Sequence, residues 1–575
     1  MVFNRSDAIT QGTDFANVIA GSGNIIKNGA GSLTLNGTNT FTGQLMIAEG
    51  TLSVSTLNNS GAAGVLGNST NSVILGSTGK NGTLSFTGGS VTSSKKFTMA
   101  SGGMGVFDIG TGGQLTVGQI DGSGALSKSG AGTLVLSGAN TYSGGSTLGG
   151  SGVVAISIDS AGPAGAPTSG AFGTGTVNLA GAQLRASTGG SRTIGNTVTI
   201  SADTTFATTG SEKSLTFTGP VTLSGATRTL NVAIGSTVNT EKLTFSGAIG
   251  DGGSGFGITK TGAGTLALSA ANTYTGTTTV SAGTLEIGHV NALQNTTLDT
   301  GTSGSQTVNF TVSGANTYNI GGLQGADALS IGNNTISIGA NNANTTYSGG
   351  ISGTGNLVKN GSGTQTLAGA TTFNGSTTVN SGTLQAATAN ALANTSQVVL
   401  NNGGSFLVTA DNSVNDSAAI NLNGGTLAVS GTFNENVGAL TLSANSTIDF
   451  SGFVGTLRFS GVGSWAAGAN LAIWNWSGQT QHGTNYGTYP NSSNLVFTNN
   501  STLSSNLANI SFYSDSGTTS IGSGFERGFT GGGTEIIAVP ETETYFYAVA
   551  LLAGVVIQYP RRRAKRKPLE GHRPA

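Results

Sequence analysis

The sequence has no cysteine and few ionisable side chains, and both shortages limit what the protein can do. Without cysteine there are no disulfides and no thiolate metal sites, so apolar packing and backbone hydrogen bonds must hold the fold together. Charged residues make up only 8% of the chain, and His289, His482 and His572 are far apart. Catalysis needs clustered ionisable groups. We therefore expect no enzyme, no cofactor and no metal.

The chain also lacks a basic surface for nucleic acid. Seven of its 22 basic residues lie beyond residue 560, so residues 1–540 hold 15 basic side chains (22 minus 7). The same residues hold 20 acidic side chains (23 minus the three beyond residue 540). Phosphate backbones need a basic patch, and we therefore expect no nucleic-acid partner.

Glycine, by contrast, is abundant, with 97 residues, but it follows no three-residue period, which excludes collagen. Hydrophobic residues still make up 36% of the chain, and they alternate with small polar ones, as in residues 32–35 and 265–268. This period of two is typical of half-buried strands. The composition therefore predicts an all-β fold and not a disordered chain.

Four copies of one pattern occupy residues 21–52, 122–153, 255–285 and 353–384. In each copy a lysine precedes an aromatic residue by fourteen positions, and an apolar residue follows the aromatic one by eleven. The lysine, aromatic and apolar residues are Lys27, Phe41 and Leu52; Lys128, Tyr142 and Val153; Lys260, Tyr274 and Leu285; Lys359, Phe373 and Leu384. These constant offsets predict one structural unit of about 32 residues.

Each unit is interpreted as strand, turn, strand, turn, strand. The first turn follows the lysine, which we expect to be a solvated corner residue. The second turn contains Asn39, Asn140 or Asn272, with Thr371 in the fourth copy. Glycine and asparagine tolerate the positive φ angles of tight corners. Asp121 and Asp251, just before the second and third copies, are expected to form turns.

Such short strands must stack to bury their apolar faces, which predicts a continuous solenoid over residues 1–435. With roughly 20 to 25 residues per coil it would hold about 18 to 20 coils and approach 90 Å in length. Like residues would align along its axis, where asparagine and threonine form ladders and aromatic rings stack.

The units resemble the autotransporter-associated β-strand repeat, whose pattern G-x-L-x-K-x-G-x-G-T-L-x-L-x-G-x-N-T-(Y/F)-x-G they follow over about 130 residues. The resemblance implies a right-handed parallel β-helix in an exported bacterial surface protein. The family has no catalytic residues to carry over.

Residues 436–538 hold all three tryptophans, Trp465, Trp474 and Trp476. We interpret this region as a terminal cap, in which large rings cover the last coil. The alternative is a sugar-binding platform formed by these rings with Tyr486 and Tyr489.

Residues 539–567 combine three features in a fixed order. Val539, Pro540 and Glu541 come first, and an apolar run over residues 545–559 predicts a single membrane helix. A basic cluster follows, consisting of Arg561, Arg562, Arg563, Lys565, Arg566 and Lys567, which would stay on the cytoplasmic side. Residues 568–575 form a short tail.

This order resembles the PEP-CTERM sorting signal, although Thr542 stands where that motif has its second proline. The resemblance implies an exosortase-like membrane enzyme as a partner, which would remove the tail. The N-terminus has no apolar signal-peptide core, for which we expect a mis-assigned start or a truncated gene.

Together these features predict an exported structural or adhesive protein of the cell surface or extracellular matrix. It would be anchored transiently in the inner membrane, with envelope or matrix polysaccharide as a further partner. The alternative is a β-helical protein that degrades or binds polysaccharide. A line of carboxylates or arginines on one face would favour the alternative, whereas ladders of Thr, Ser and Asn would favour the first function.

Overall fold

The computed structural model describes residues 1–15, 18–187, 189–206, 213–234, 241–302, 304, 306–478, 492–499, 503–528 and 533–539. These residues form an all-β parallel solenoid of about 21 coils, where one coil is one winding of the chain around the axis. At about 4.8 Å per coil the rod is about 100 Å long. The predicted fold class of a parallel β-solenoid is confirmed.

The first part of the chain contains β1 (Val2–Asn4), β2 (Ile9–Thr10), β3 (Ile25–Asn28), β4 (Ser32–Thr34), β5 (Leu45–Ile47), β6 (Gly50–Val54), β7 (Val73–Leu75), β8 (Asn81–Phe86), β9 (Ser90–Ser93), β10 (Phe97–Met99), β11 (Met104–Ile109), β12 (Gln114–Val117), β13 (Ile120–Gly122), β14 (Ala125–Ser129), β15 (Thr133–Leu136), β16 (Ser146–Gly149), β17 (Val153–Ile156), β18 (Val177–Ala180) and β19 (Gln183–Ala186).

The middle part contains β20 (Arg192–Ile194), β21 (Val198–Ile200), β22 (Thr204–Phe206), β23 (Leu215–Phe217), β24 (Val221–Leu223), β25 (Arg228–Val232), β26 (Leu243–Phe245), β27 (Ile249–Gly250), β28 (Ile258–Thr261), β29 (Thr265–Leu268), β30 (Thr278–Val280), β31 (Gly283–Ile287), β32 (Leu293–Asp299), β33 (Gln306–Phe310), β34 (Thr317–Gln324), β35 (Leu329–Gly332), β36 (Thr335–Ile338), β37 (Thr345–Tyr347), β38 (Ile351–Gly353), β39 (Leu357–Lys359) and β40 (Thr364–Leu367).

The last part contains β41 (Thr377–Val379), β42 (Gly382–Ala386), β43 (Gln397–Asn401), β44 (Gly404–Val408), β45 (Ala419–Asn423), β46 (Thr426–Val429), β47 (Gly431–Val437), β48 (Leu440–Ala444), β49 (Ser446–Asp449), β50 (Phe453–Phe459), β51 (Val462–Trp465), β52 (Leu471–Trp474), β53 (Ser493–Phe497), β54 (Ile510–Tyr513), β55 (Ser520–Gly528) and β56 (Thr534–Val539). A 3-10 helix, Leu507–Asn509, is the one helical element among the described residues.

The strands stack in columns along the axis, and up to β54 the strands of successive coils pair in parallel. Leu33 pairs with Leu52 and Leu52 with Leu84, so successive coils there take 19 and 32 residues. All three leucines are fully buried. Because every second side chain points inward, the period of two seen in the sequence becomes the apolar core of the rod.

Each repeat copy spans parts of two coils and stacks on itself. In the first copy, β3 pairs with β5 and β4 pairs with β6. The segment predicted as the third strand of a unit is therefore two strands, with a corner at Gly50 between them. The unit is a pair of half-coils laid one on the other, not one closed coil.

The copies do not line up along one edge of the rod. The lysine-bearing strand of the first copy, β3, is in a column with β1, β5, β7, β10 and β13, and that of the second copy, β14, is in the next column, with β11 and β16. The third and fourth copies use β28 and β39, both in a third column. The repeat lysines of the four copies therefore do not form one row along the axis.

Aromatic stacking does occur, but between the copies. Phe217 and Phe245 are partners in adjacent coils, with ring centroids 5.0 Å apart and planes inclined by 22°. Phe206 meets Phe217 edge-on at 6.0 Å. These rings fill the interior of coils that carry no repeat, so the core stays continuous between the second and third copies.

The constant offset of the repeats breaks at one place. In the second copy Leu134 pairs with Val154, not with Val153, which is only half-buried. One extra residue is accommodated at the corner between β16 and β17. The constant offset from the aromatic residue to the apolar residue therefore does not give the second copy the strand register of the others.

Parallel pairing continues past residue 435, through β47, β50 and β53 on one side and β49, β52 and β54 on the other. The end of the rod is then closed by antiparallel strands, with β55 and β56 paired to each other and to β54 and β53. This hairpin covers strand edges that would otherwise be free to pair with another chain.

None of the residues that the structure describes forms a helix that could span a membrane. The run over residues 545–559, where the sequence predicts a membrane helix, lies outside the described residues. The predicted boundary between residues 435 and 436 stays a prediction.

Backbone geometry requires glycine at the corner between the last two strands of a repeat copy. Gly283 has φ +69°, and a Cβ there would lie 2.6 Å from the carbonyl oxygens of Gly262 and Gly264 in the neighbouring coil. Gly50 and Gly382 occupy the equivalent places, with φ values of +73° and +64°. Coils can approach this closely only where no Cβ intervenes.

We expect Gly283→Ala to destabilise the protein by about 2–4 kcal/mol, because it combines left-handed strain with a clash against backbone. The urea midpoint followed by circular dichroism measures the effect. Gly89→Ala is the matched control, since Gly89 has an ordinary φ and open space around it. Equal midpoints for the two variants would contradict the assigned corner.

Candidate functional site: the buried lysine corners and the outer asparagine ladder

The repeat lysines are buried, and the prediction that they are solvated corner residues is wrong. Lys27, Lys128, Lys260 and Lys359 are at most 1% exposed. The sequence contains the signal: Lys27 follows Ile25 by two positions in β3, so strand alternation turns both side chains inward. The residue type suggested a solvated position, because lysine is rarely buried without partners.

Each ammonium lies in a cage of backbone carbonyls. Lys260 Nζ donates to the carbonyl oxygens of Thr261 (3.0 Å), Gly262 (2.8 Å) and Ala282 (2.9 Å). The first two belong to the lysine's own corner and the third to the corner of the next coil. The lysine therefore ties two successive corners together.

The same cage recurs in the other copies. Lys27 donates to the carbonyls of Asn28, Gly29 and Glu49, and Lys359 to those of Asn360, Gly361 and Ser381. In the second copy, which has the extra corner residue, Lys128 donates to Ser129 and Gly130. Outside the repeats, Lys95 makes a similar pair of bonds, to Gly67 and Ser69.

Burial lowers the pKa of Lys128, Lys260 and Lys359 to about 8, so the ammonium is still charged at neutral pH. An ammonium has three N–H donors, and in Lys260 all three are used by carbonyls. No donor of Lys260 is left for a substrate, so this lysine has a structural role.

The corner asparagine joins three consecutive coils. Asn272 accepts a hydrogen bond from the Ile249 N–H (2.9 Å) and donates one to the Ala292 carbonyl (3.0 Å). Asn39 and Asn140 make the same two bonds with their neighbours.

Thr371 replaces this asparagine in the fourth copy and donates to the Ala391 carbonyl at 2.7 Å. Asparagine carries both a donor and an acceptor on a planar amide. The threonine hydroxyl reaches the following coil, so the replacement keeps the bond to that coil's carbonyl.

The aromatic residues of the repeat, Phe41, Tyr142, Tyr274 and Phe373, are in the core. The hydroxyls of the two tyrosines are paired with side chains four residues on, Tyr142 with Ser146 at 2.6 Å and Tyr274 with Thr278 at 2.7 Å. Burial raises the pKa of both phenols. They are therefore neutral and serve packing.

Of the two aspartates expected to form turns, Asp251 does so. Its carboxylate accepts bonds from the N–H groups of Gly253, Gly255 and Phe256. Asp121 lies in strand β13 instead and accepts a bond from the Thr98 hydroxyl of the preceding coil. Among the described residues no three His, Asp or Glu side chains are close enough to hold a metal ion.

A ladder of asparagine side chains follows the outside of the rod. Asn423 donates to Asn401 Oδ1 (2.9 Å), Asn401 to Asn380 Oδ1 (2.7 Å), and Asn380 to Asn360 Oδ1 (2.9 Å). Asn360 donates to Ser337 Oγ at 2.8 Å. The predicted alignment of like polar residues is confirmed here, and this is the pattern that favours a structural or adhesive protein.

The tryptophan region is part of the closure of the rod. Trp476 is 5% exposed and meets Phe450 edge-on at 5.3 Å and Phe512 at 5.0 Å. This packing agrees with a cap. Tyr486 and Tyr489, the other members of the alternative sugar platform, lie outside the described residues.

The predicted sorting residues are not brought into a site by the described part of the chain. Val539 is the last residue of β56. The remaining ones, namely Pro540, Glu541, Arg561, Arg562, Arg563, Lys565, Arg566 and Lys567, lie outside the described residues. Their role stays a prediction.

Glu435 is a buried carboxylate that the sequence interpretation missed. It is fully buried in β47, and it accepts bonds from the N–H groups of Ser413 (3.2 Å) and Val414 (2.8 Å) in the preceding coil. Burial, with the nearby charges of Asp411 and Asp416, raises its pKa to about 7. Its position between Phe433 and Val437 in an alternating strand was the available signal.

We expect Lys260→Met to destabilise the protein by about 2–4 kcal/mol, because three buried carbonyls lose a charged donor while the side-chain volume is kept. Lys80→Met is the matched control, since Lys80 forms an exposed ion pair with Glu49, worth about 0–1 kcal/mol. Urea denaturation measures both. A loss no larger than that of the control would show that the cage contributes nothing.

Glu435 should make stability depend on pH. Its folded pKa of about 7 is above the ordinary 4.5, so between these values the folded chain keeps a proton that the unfolded chain releases. This contribution is full below pH 4.5 and is lost as the pH rises through 7. Urea midpoints at pH 5 and pH 8 should therefore differ less in Glu435→Gln than in the unmodified protein; the same difference in both would refute the assignment.

Comparison with known proteins confirms the repeats. The model of the passenger-associated transport repeat family matches residues 25–54, 126–156, 258–287 and 357–386. These are the four copies found by their spacing, and the match to the second is one residue longer than the others, in agreement with the extra corner residue. No solved structure matches the chain.

A curated relative is the adhesin BmaC autotransporter of Brucella suis biovar 1 (strain 1330). The two sequences are 31% identical over 444 residues, which covers 62% of this chain and 12% of that protein. The chain thus spans about an eighth of the relative's length. It is a β-solenoid that carries four passenger-associated transport repeats and is similar to a part of an autotransporter adhesin.

Proposed function

We propose that the chain is an exported structural or adhesive β-solenoid of the bacterial cell surface or extracellular matrix. The observation that carries this proposal is the presence of four passenger-associated transport repeats in a rod of about 21 coils. Similarity to part of an autotransporter adhesin supports it. The right-handed winding implied by the repeat pattern belongs to the same proposal.

The chemistry of the described residues supports a role without catalysis. The ammonium of Lys260 is saturated by carbonyls, Asp251 is used in a turn and Glu435 caps backbone N–H groups. The outer ladder consists of amides and a hydroxyl, which bind but do not perform acid–base chemistry at neutral pH. A stiff rod of about 100 Å would display such a surface away from the cell.

We further propose that residues 539–567 direct sorting. The order of Val539-Pro540-Glu541, an apolar run over residues 545–559 and a basic cluster at residues 561–567 supports this. In this scheme the apolar run anchors the chain transiently in the inner membrane, and an exosortase-like enzyme removes the tail. Thr542 in place of a second proline would make the motif a variant of the usual one.

Fractionation of the native host, followed by mass spectrometry of the mature C-terminus, tests both proposals. We expect a product outside the cell that ends near Pro540. Glu541→Ala should accumulate an unprocessed, membrane-bound form, because the motif residue is lost. Arg573→Ala, beyond the basic cluster, is the control and should be processed normally.

The possible outcomes separate the two proposals. An external protein with an intact tail would reject sorting by cleavage and keep the surface role. An intact chain in the cytosolic fraction would reject export and leave the solenoid alone.

A further inference from the structure

A groove lies on the outside of the rod where the asparagine ladder ends. Its volume is about 640 Å³, and its lining residues are Asn401, Asn402, Asn423, Gly424, Ala444 and Asn445. They come in pairs from the corners that follow β43, β45 and β48, so the groove crosses three consecutive coils, over about 10 Å along the axis.

The groove contains the acceptor end of the ladder. Every amide in the ladder donates toward the preceding coil, so each Oδ1 is left to accept from the following one. The residue opposite Asn423 in the next coil is Ala444, which cannot donate. Among the described residues no side chain or N–H group donates to Asn423 Oδ1. Hydrogen bonds in a chain polarise one another, which makes this terminal oxygen a good acceptor.

The ladder is not a consequence of the repeat pattern. The positions of Asn360 and Asn380 in the fourth copy correspond to Thr261 and Ser281 in the third, and to Asn28 and Ala48 in the first. Asn401 and Asn423 belong to coils beyond the last repeat. A continuous amide row therefore needs several outward-facing residues that stacking alone does not require.

We propose that this groove binds a neutral saccharide. Asn423 offers an acceptor, and Asn445 offers its N–H groups, since its own Oδ1 already accepts from the Asn470 N–H (2.9 Å). The exposed amide of Asn402 offers both. Saccharide hydroxyls both donate and accept, so they match this mixture.

The lining residues argue against other ligand classes. None of them is ionisable, so the groove has no charge to select an anionic or cationic ligand. None has a large apolar side chain, so it offers no hydrophobic surface to a peptide or lipid chain. The corners also lack the free strand edge that a peptide would need to add a strand.

The purified full chain should be tested on a printed array of neutral and sialylated or uronate-containing oligosaccharides. The strongest neutral binder is then titrated by calorimetry. We expect binding to neutral glycans, and a weakening of at least about tenfold in Asn423→Ala, which removes the terminal acceptor.

Ala444→Asn is the sharper variant. Its new amide would extend the ladder by one coil, donate to Asn423 Oδ1 and occupy the groove, so binding should be lost while the urea midpoint stays the same or rises. Asn28→Ala is the matched control, because Asn28 follows the repeat lysine of the first copy, as Asn360 does in the fourth, far from the groove. It should bind like the unmodified protein.

The array bears on the groove and the fractionation bears on export, so the two can fail separately. The saccharide proposal names a ligand class for the proposed adhesive role. Only its biological meaning rests on that role, because binding itself is measured on the purified chain. Binding to acidic glycans alone, no binding to any neutral glycan, or unchanged binding in both Asn423→Ala and Ala444→Asn would each overturn the inference. An exported protein that binds no neutral glycan would still keep its structural role.

Discussion

Backbone hydrogen bonding between parallel strands of successive coils is the constraint on which the rest of the structure depends. Each coil must return to the register of the one before it, although coils differ in length by more than ten residues between β4, β6 and β8. The difference is absorbed at the corners. Corners therefore carry the residues with special properties, while the strands need only an apolar side chain at every second position.

Each repeat contains three kinds of residue that stabilise the corners between strands. The lysine gathers carbonyls that cannot find strand partners, the asparagine connects N–H and carbonyl groups of the coils on either side, and glycine allows a left-handed corner with close backbone approach. Because a copy stacks mainly on itself, it can be placed at any edge of the rod. This explains how four similar segments are distributed over different columns and are separated by coils of other sequence.

The interior side chains thus serve stability, and the residues that can vary are the outward-facing ones. Outward positions at the corners are free of the pairing constraint, and the coils around the fourth copy use them for a row of amides that ends at Ala444. A solenoid with a uniform core and a locally distinctive surface suits display and recognition better than chemistry. The proposed surface role and the proposed saccharide groove both agree with this division between core and exterior.

The sequence by itself determined the all-β class, the strand period and the four repeats, because period-two alternation and fixed offsets are local properties of the chain. It did not determine that Lys260 is buried, that Val154 replaces Val153 in the core, or that Glu435 faces inward. Those outcomes depend on which coil lies above and below each residue. Only the tertiary structure decides that, because the third carbonyl of the Lys260 cage, the amide ladder and the backbone groups around Glu435 are about twenty or more residues away along the chain.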